Sequence, residues 1–411
     1  MSLRSVELFA GAGGLAMGVS LAGFKSHGVV EWDRWACDTV RQNKERGHPL
    51  VADWPLYEGD VRRWIDTVDI RTLDGLDLVA GGPPCQPFSM GGKHQANLDV
   101  RDMFPAAVSI VRTLRPRAFL FENVKGLTRA SFSTYFSYIQ SQLEFPELTK
   151  RVDESWVDHH ARLQQFKTSK KNSGVGLNYR LFVGLVNAAN YGIAQKRERV
   201  FMVGFRNDVD ARWSFPSPTH SLDALLYDQY VDGSYWDRHK IPKSKRPTVP
   251  PKYVDLVAGM KGLGILPTKA AWRTVRDALQ GLPEPRDDGL GVALNHKFQA
   301  GAKIYPGHTG SPLDFPAKTL KAGGHGVPGG ENMLVRLDGS VRYFSVRESA
   351  RLQAFPDTYT LHGSWGEAMR QLGNAVPVTL GQQMAASVAT QLLTADHRGM
   401  SSQCLIEAVG A

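Results

Sequence analysis

Ser5-Val6-Glu7-Leu8-Phe9-Ala10-Gly11-Ala12-Gly13-Gly14-Leu15-Ala16 is a short β-rich apolar run that breaks into a glycine turn and continues as a helical pattern. A strand that feeds a glycine-rich turn at a helix start lets a ligand approach the backbone closely, the device of Rossmann-like α/β sheets. Glu31 follows about 20 residues later, where a carboxylate can accept ribose hydroxyls. This much also satisfies a dinucleotide fingerprint. At this point an NAD enzyme remains open, and so does a turn that serves only to pack a helix on a sheet.

Working outward, the alternation repeats. Strand-like runs at 27–32, 76–80 and 118–124 each precede a helical run, at 35–46, 104–114 and 132–143. That order predicts right-handed crossovers, a parallel sheet, and ligands gathered at the carboxyl ends of the strands. Residues 146–178 lapse into a polar insert, read as a loop or short helices, and runs at 179–188 and 199–205 then complete the sheet. Beyond Arg206, Pro and Gly become frequent and amphipathic spacing fades, returning at 345–352 and 379–393. The expected fold class is α/β: a catalytic domain over 1–205, completed by 374–411, and a second, smaller, irregular domain with hinge over 206–373.

A chain of 411 residues with 42% hydrophobic content exceeds what one core usually organises, in keeping with two domains. Its net charge of +9 suits a polyanionic partner without requiring one. The three cysteines, Cys37, Cys85 and Cys404, are too scattered for a disulfide framework or a close metal cluster. No metal site and a reducing cytoplasm are therefore expected. Met1 to Phe9 carry no basic start before an apolar core, and no apolar run reaches the ~18 residues that cross a bilayer, so neither export nor a membrane partner is expected.

Gly81-Gly82-Pro83-Pro84-Cys85-Gln86-Pro87-Phe88-Ser89 directly follows an apolar strand, and two prolines stiffen the approach to one cysteine. A thiol with an ordinary pKa of about 8.5 is largely protonated at neutral pH, yet very nucleophilic once deprotonated. Cys85 is the candidate nucleophile; Cys37 and Cys404 better fit structural roles. Glu122, in Glu122-Asn123-Val124, brings a carboxyl group to the same sheet edge. In a pocket that excludes water its pKa should rise, letting it hold or donate a proton near neutral pH. In Gln195-Lys196-Arg197-Glu198-Arg199, Arg197 and Arg199 share one side of an extended segment and suit a phosphate or carbonyl oxygen, with a solvated charge run as the plainer alternative. Trp32 offers a flat ring to an adenine, and Asp60 a further carboxylate; core packing and a solvated turn are their ordinary readings.

Taken in order, the segments at Phe9–Gly14, Glu31–Asp33, Pro83–Gln86, Glu122–Val124, Gln195–Arg199 and Gly373-Asn374-Ala375-Val376 resemble the cytosine-C5 DNA methyltransferase family of the bacterial, sequence-specific type. The resemblance implies a class I methyltransferase sheet, S-adenosylmethionine as cofactor, and double-stranded DNA from which a cytosine is flipped by about 180°. It implies that Cys85 attacks C6, that Glu122 contacts and protonates N3, and that C5 then accepts the methyl group. A base removes the C5 proton and Cys85 is eliminated, with no metal needed.

The same resemblance assigns Arg199 to the cytosine O2, Arg197 to the support of Glu122 or the catalytic loop, and Gln86 and Ser89 to the substrate. It places the cofactor against Phe9, Gly11, Gly14 and Leu15, with Glu31 on the ribose, Trp32 on the adenine, Asp60 near the base edge, and Asn374 and Val376 closing the site. The second domain becomes a target-recognition domain, with Thr319, Leu320 and the glycine-rich stretch 323–330 beside the flipped base and Arg238, Lys240, Lys243, Lys245 and Arg246 on phosphates. One segment departs from the family pattern. Asp99-Val100-Arg101-Asp102-Met103-Phe104 is one residue shorter and lacks the usual glycine after the arginine, so Met103 is not assigned to the adenine.

Two other readings share the fold. The substantial second domain weighs against a transfer-RNA cytosine methyltransferase, and the intact set of Cys85, Glu122 and Arg199 weighs against a non-catalytic DNA-binding homologue. An NAD oxidoreductase explains only the glycine turn and Glu31. A companion restriction endonuclease within a restriction-modification system, a place in the bacterial cytosol or nucleoid, and a monomer acting on one strand at a time complete the expectations. The DNA target sequence is not legible.

Overall fold

The computed structural model describes residues 2–84, 102–169, 176–264, 266–287, 293–306, 309–322 and 332–409, with side chains to residue 398. Cys85, Gln86, Ser89 and the stretch 323–330 lie outside the described residues. The chain begins β1 (Leu3–Leu8), α1 (Gly14–Leu21), β2 (Phe24–Glu31), α2 (Arg34–Glu45), β3 (Leu56–Glu58), α3 (Val61–Thr67), β4 (Leu78–Gly81), α4 (Phe104–Leu114) and β5 (Ala118–Val124). It continues through α5 (Ser133–Glu144), α6 (Trp156–Thr168), β6 (Tyr179–Asn187) and β7 (Glu198–Arg206).

These strands form one sheet in the order β3-β2-β1-β4-β5-β7-β6. The first five are parallel, whereas β7 runs antiparallel to both β5 and β6. The expectation of a parallel sheet is thus corrected at one edge. The connection 188–197 is too short for a crossover, which needs a dozen or more residues, so β7 turns back against β6. Alternate residues of the central strands enter two different cores: Val79, Phe119 and Phe121 meet α3, α4, α5 and α6, while Leu78, Ala80, Ala118 and Leu120 meet the opposite layer.

The remaining elements are β8 (His220–Ser221), α7 (Leu222–Tyr230), α8 (Ser234–Arg238), α9 (Val254–Leu263), β9 (Ala270–Ala271), α10 (Val275–Leu279), β10 (Ser311–Pro312), β11 (Met333–Val335) and β12 (Val341–Tyr343). They are followed by α11 (Val346–Leu352), α12 (Trp365–Asn374) and α13 (Val378–Val409). Among the described residues no helix is long and apolar enough to cross a membrane. The strands between 206 and 346 are two or three residues long, and a small core of Leu225, Tyr235, Trp236 and Trp272 packs on Ala189.

α13 supplies the layer opposite α3–α6 by packing on α1. The fit depends on missing side chains: a Cβ on Gly14 would stand 2.4 Å from Val376 O, and one on Gly18 2.5 Å from Gln382 N. A third core unites the cofactor end, through Ala12, Met17, Val29 and Trp54, with Leu320, Phe344, Tyr359 and Leu372.

Helices α6 and α12 are among those that depart from the sequence reading. The insert holds the 13-residue α6, capped by Ser155, which accepts the Asp158 N–H. α12, capped by Ser364, lies where no helix is predicted. In α6 only His159 and Leu163 are buried, so the apolar stripe that reveals most helices is too thin to read.

Candidate active site

The sheet register brings the sequence motifs to one edge. Leu8 pairs with Val30 and with Gly81, and Gly81 pairs with Phe121, so the residues that follow these, Phe9, Glu31, Gly82 and Glu122, emerge side by side. The antiparallel β7 starts at the same edge, with Arg199 opposite Val124.

At the cofactor end, Phe9, Gly11 and Gly13 adopt φ of 53°, 55° and 89°, carrying the turn through the left-handed region. For a bulky residue such as Phe9 that conformation costs about 1–3 kcal/mol, so the surroundings must enforce it. Glu31 does much of this. Its Oε2 accepts the Gly11 N–H at 2.6 Å, and its Oε1 accepts those of Trp32 and Asp33 at 2.8 and 2.7 Å. Burial pushes this carboxyl above its usual range, while the three N–H groups pull it down. A carboxylate offers about four acceptor sites, so one remains on Oε2 for a hydroxyl.

Beside it the Trp32 ring is 75% exposed, a platform rather than a core residue. Leu15 is buried, and Val376 presses its carbonyl on Gly14, while Asn374 is exposed at the end of α12. Asp60 follows β3, whose Glu58 pairs with Glu31. Its carboxylate caps α3 by accepting the Arg62 N–H at 2.8 Å, and the Arg62 side chain holds it below the usual range.

At the reactive end Glu122 is 7% exposed. Arg199 Nε lies 2.6 Å from its Oε1 without the N–H alignment of a hydrogen bond. Burial raises the Glu122 carboxyl above its usual range; the Arg199 and Arg197 charges oppose this without cancelling it. Glu122 Oε2 would lie 3.3 Å from a Cβ on Gly82, so the acid sits over the backbone that leads to Cys85. The carbonyls of that approach are held from two sides. Asn123 Nδ2 donates to Pro83 O at 2.9 Å, and the Met103 N–H donates to Pro84 O at 3.0 Å.

Arg197 and Arg199 do share a buried side, but their hydrogen bonds diverge. The wholly buried Arg197 donates to Leu320 O at 3.1 Å and to Gly373 O at 2.6 Å. Gln195 completes the bracket: its Oε1 accepts the Leu320 N–H at 3.0 Å, and its Nε2 donates to Leu352 O at 3.1 Å. Thr319 Oγ1 donates to Lys196 O at 2.6 Å. Leu320 therefore enters the site as backbone, its side chain being buried in the third core. Of the basic residues assigned to phosphates, Arg238 and Arg246 pair with Asp277 and Asp237. Lys240, Lys243 and Lys245 remain exposed. A cavity of about 530 Å³ lined by Arg276, Arg336 and Arg342 involves none of these site residues, and its arginines pair with Asp314, Glu284 and Glu348.

Sequence reasoning missed several supports. Tyr359, fully buried, donates its hydroxyl to Ala12 O at 2.9 Å and so ties α11–α12 to the glycine turn. Trp54 lies beneath Gly13, and Arg370 binds Asp33 at 2.9 Å next to Trp32. Gln353 donates to Leu372 O and Ala375 O around the Gly373–Val376 turn. None has a local signal, because each acts on a partner distant in sequence.

A glycine turn on β1, a ribose-suited carboxylate on β2 and a buried acid on β5, on a sheet that closes with an antiparallel β7, define a class I methyltransferase fold. The model of the C-5 cytosine-specific DNA methylase family matches residues 3–146, 157–265 and 308–390, and the chain belongs to that family. It is a DNA cytosine-5-methyltransferase that takes its methyl group from S-adenosylmethionine.

Relatives include the type II methyltransferase M.NgoMIV of Neisseria gonorrhoeae, 29% identical over 95% of this chain and 99% of its own. Others are M.Eco47II of Escherichia coli, 30% identical over 93% and 78%, and M.HhaI of Haemophilus parahaemolyticus, 27% identical over 95% and 95%. Two solved structures share the fold. A prophage-encoded E. coli chain described as a DNA modification methyltransferase has a TM-score of 0.58 at 20% identity, over 95% of this chain and 99% of its own. The S. pombe Dnmt2 methyltransferase has a TM-score of 0.51 at 18% identity, over 95% and 98%. The family match favours the DNA enzyme over the transfer-RNA and non-catalytic alternatives.

Proposed function

We propose that the enzyme flips a cytosine out of duplex DNA and methylates it through a covalent adduct with Cys85. The observation that carries this reading is the buried Glu122, placed over Gly82 and beside Arg199 at the edge where the cofactor turn also emerges. As a thiolate, Cys85 bonds C6. Glu122, whose neutral form burial favours, gives its proton to N3, so the negative charge that would build on the ring is neutralised and C5 becomes the nucleophile. Arg199 donates to the cytosine O2 and stabilises charge there. Once C5 has bonded the methyl group, loss of the C5 proton to a base expels Cys85 as the thiolate, and the N3 proton returns to Glu122 as the ring double bond is restored.

S-adenosylmethionine supplies an electrophilic methyl group on a sulfonium. Phe9, Gly11, Gly14, Leu15 and Val376 would hold it, with Glu31 on the ribose hydroxyls, Trp32 stacked on the adenine, and Asp60 and Asn374 at the rim. The fit rests on the open space over Gly11, where a Cβ would meet nothing, and on the free acceptor site of Glu31. Arg197 acts as a positioning residue, tethering Leu320 and Gly373. Gln86, Ser89 and Thr319 face the target base, and Leu320 anchors that face.

Residues 1–205 with 374–411 form the catalytic unit in this reading, and 206–373 the target-recognition domain and hinge, of which 346–373 supplies the backing of the cofactor turn. The relatives' type II names support sequence-specific modification within a restriction-modification system, with a companion endonuclease, in a bacterial cytosol. A monomer suffices for chemistry on one strand at a time. The test is transfer of labelled methyl to unmethylated duplex DNA by wild type and by Cys85→Ala, with modified positions mapped by sequencing. Methylation at C5 within one short motif, abolished in Cys85→Ala, is expected; undiminished transfer by Cys85→Ala would overturn the adduct.

A further inference from the structure

The inserted helix α6 belongs to no motif, yet its contacts lead to the residue before the candidate nucleophile. Trp156, the first residue of α6, packs edge-on against Tyr135 of α5, with ring centroids 5.7 Å apart, and lies 5.6 Å from Tyr138. Tyr138 is fixed in turn by His159 of α6, whose Nδ1 lies 2.8 Å from the Tyr138 hydroxyl. In this setting the Tyr135 hydroxyl donates to the Asp102 carboxylate. The other oxygen of Asp102 accepts the Phe104 N–H at 3.2 Å, at the first residue of α4. The next residue, Met103, donates its N–H to Pro84 O at 3.0 Å. Pro84 O belongs to the peptide unit whose nitrogen is that of Cys85. On the opposite flank Asn123, adjacent to Glu122, holds Pro83 O.

Asp102 thus holds two contacts at once, one through each carboxylate oxygen. We infer that Tyr135 and Asp102, backed by Trp156 of α6, are positioning residues that fix the Pro84 carbonyl, and with it the backbone leading to Cys85, relative to Glu122. A short chain of contacts runs from α6 through Tyr135, Asp102 and Met103 to Pro84, meeting the Asn123 clamp at the Pro83-Pro84 pair. The Asp102 carboxylate, held by Tyr135, thus braces the backbone that leads to Cys85. Since a misplacement of about 1 Å can lower a rate ~10²-fold, partial release of the brace should register in the chemical step.

The inference rests on Cys85 being the nucleophile, and the experiment separates the two. Single-turnover methyl transfer to unmethylated bacteriophage DNA is measured with enzyme in excess, so that misfolded molecules do not change the rate constant. Tyr135→Phe and Asp102→Ala should each slow transfer by about tenfold, with KM for DNA and for S-adenosylmethionine within about twofold of wild type. The double variant should be no slower than Asp102→Ala, because both substitutions break the same contact. Unchanged rates in the single variants, whatever their melting temperatures, would overturn the inference, as would losses that multiply in the double variant. Full activity in Cys85→Ala would remove its premise and the adduct together.

Discussion

The two ends of the working edge are built differently. Around the glycine turn the groups that hold the site are backbone N–H and C=O: Glu31 collects three N–H groups, and Tyr359 takes the Ala12 carbonyl. Around Glu122 they are buried ions, an acid facing Arg199 with Arg197 close behind. The N–H groups on Glu31 oppose the upward push of burial and favour its charged, accepting form, and so fix a shape. Charges in a dry pocket store electrostatic free energy that a substrate can release. The cofactor end is thus preorganised before any ligand arrives, and the target end is poised to change protonation when one does.

The contrast breaks or sharpens under substitution. Glu122→Gln should lower kcat by about 10²–10⁴-fold, the usual contribution of a general acid, with little change in melting temperature, since burial favours the neutral carboxyl that the amide resembles. In the wild type, kcat/KM should fall as pH rises through the raised Glu122 pKa. Arg199→Met removes a charge that pulls this pKa down, so the limb should move to higher pH; a limb that stays in place would show that Glu122 does not titrate in catalysis.

Arg197→Met should act on stability instead. It leaves the Leu320 and Gly373 carbonyls buried without their donor, for a loss of about 2–5 kcal/mol by denaturant titration. A fully stable variant that is slow only in chemistry would return Arg197 to the catalytic group.

Glu7 tests the other half. It is buried in β1, accepts from Ser26, and is pushed up to about 7 by burial. A carboxyl whose folded pKa is raised favours the fold fully below its unfolded value near 4.5, and this contribution is lost as pH climbs through about 7. Glu7→Gln should therefore stabilise the protein by about 3 kcal/mol at pH 8 and by almost nothing at pH 4. An equal effect at both pH values would mean that burial does not shift the Glu7 pKa. The smallest change is expected for Trp32→Ala. Stability should move by less than ~0.5 kcal/mol because the ring is already in solvent, while affinity for S-adenosylhomocysteine should drop about tenfold or less by calorimetry.

The same contrast governs what the sequence reveals. Strand β5 and helix α4 are legible to the residue, because a fully buried strand and an amphipathic helix write their burial into consecutive positions. Glu31 is legible for a similar reason, since its partners Gly11, Trp32 and Asp33 lie within one βαβ unit. Arg197 looks like a twin of Arg199 in the sequence, and nothing local separates them. Their difference comes from carbonyls 123 and 176 residues away. Tyr359 is invisible for the same reason, its partner lying 347 residues away. Even the antiparallel return of β7 depends on a connection length rather than on the strand's composition.

The seat of α13 on Gly14 and Gly18 also bears on when the enzyme can work. The ribosome makes the glycine turn first and its backing last. At 5–20 residues per second the interval between Gly14 and Val376 is roughly 20–70 s. Through that time the face of α1 waits for its helix, and the cofactor turn lacks both the Val376 carbonyl and the Tyr359 hydroxyl. The glycine turn is therefore backed only after residues 359–392 have emerged, and a chain abandoned midway carries most of the sheet without that backing.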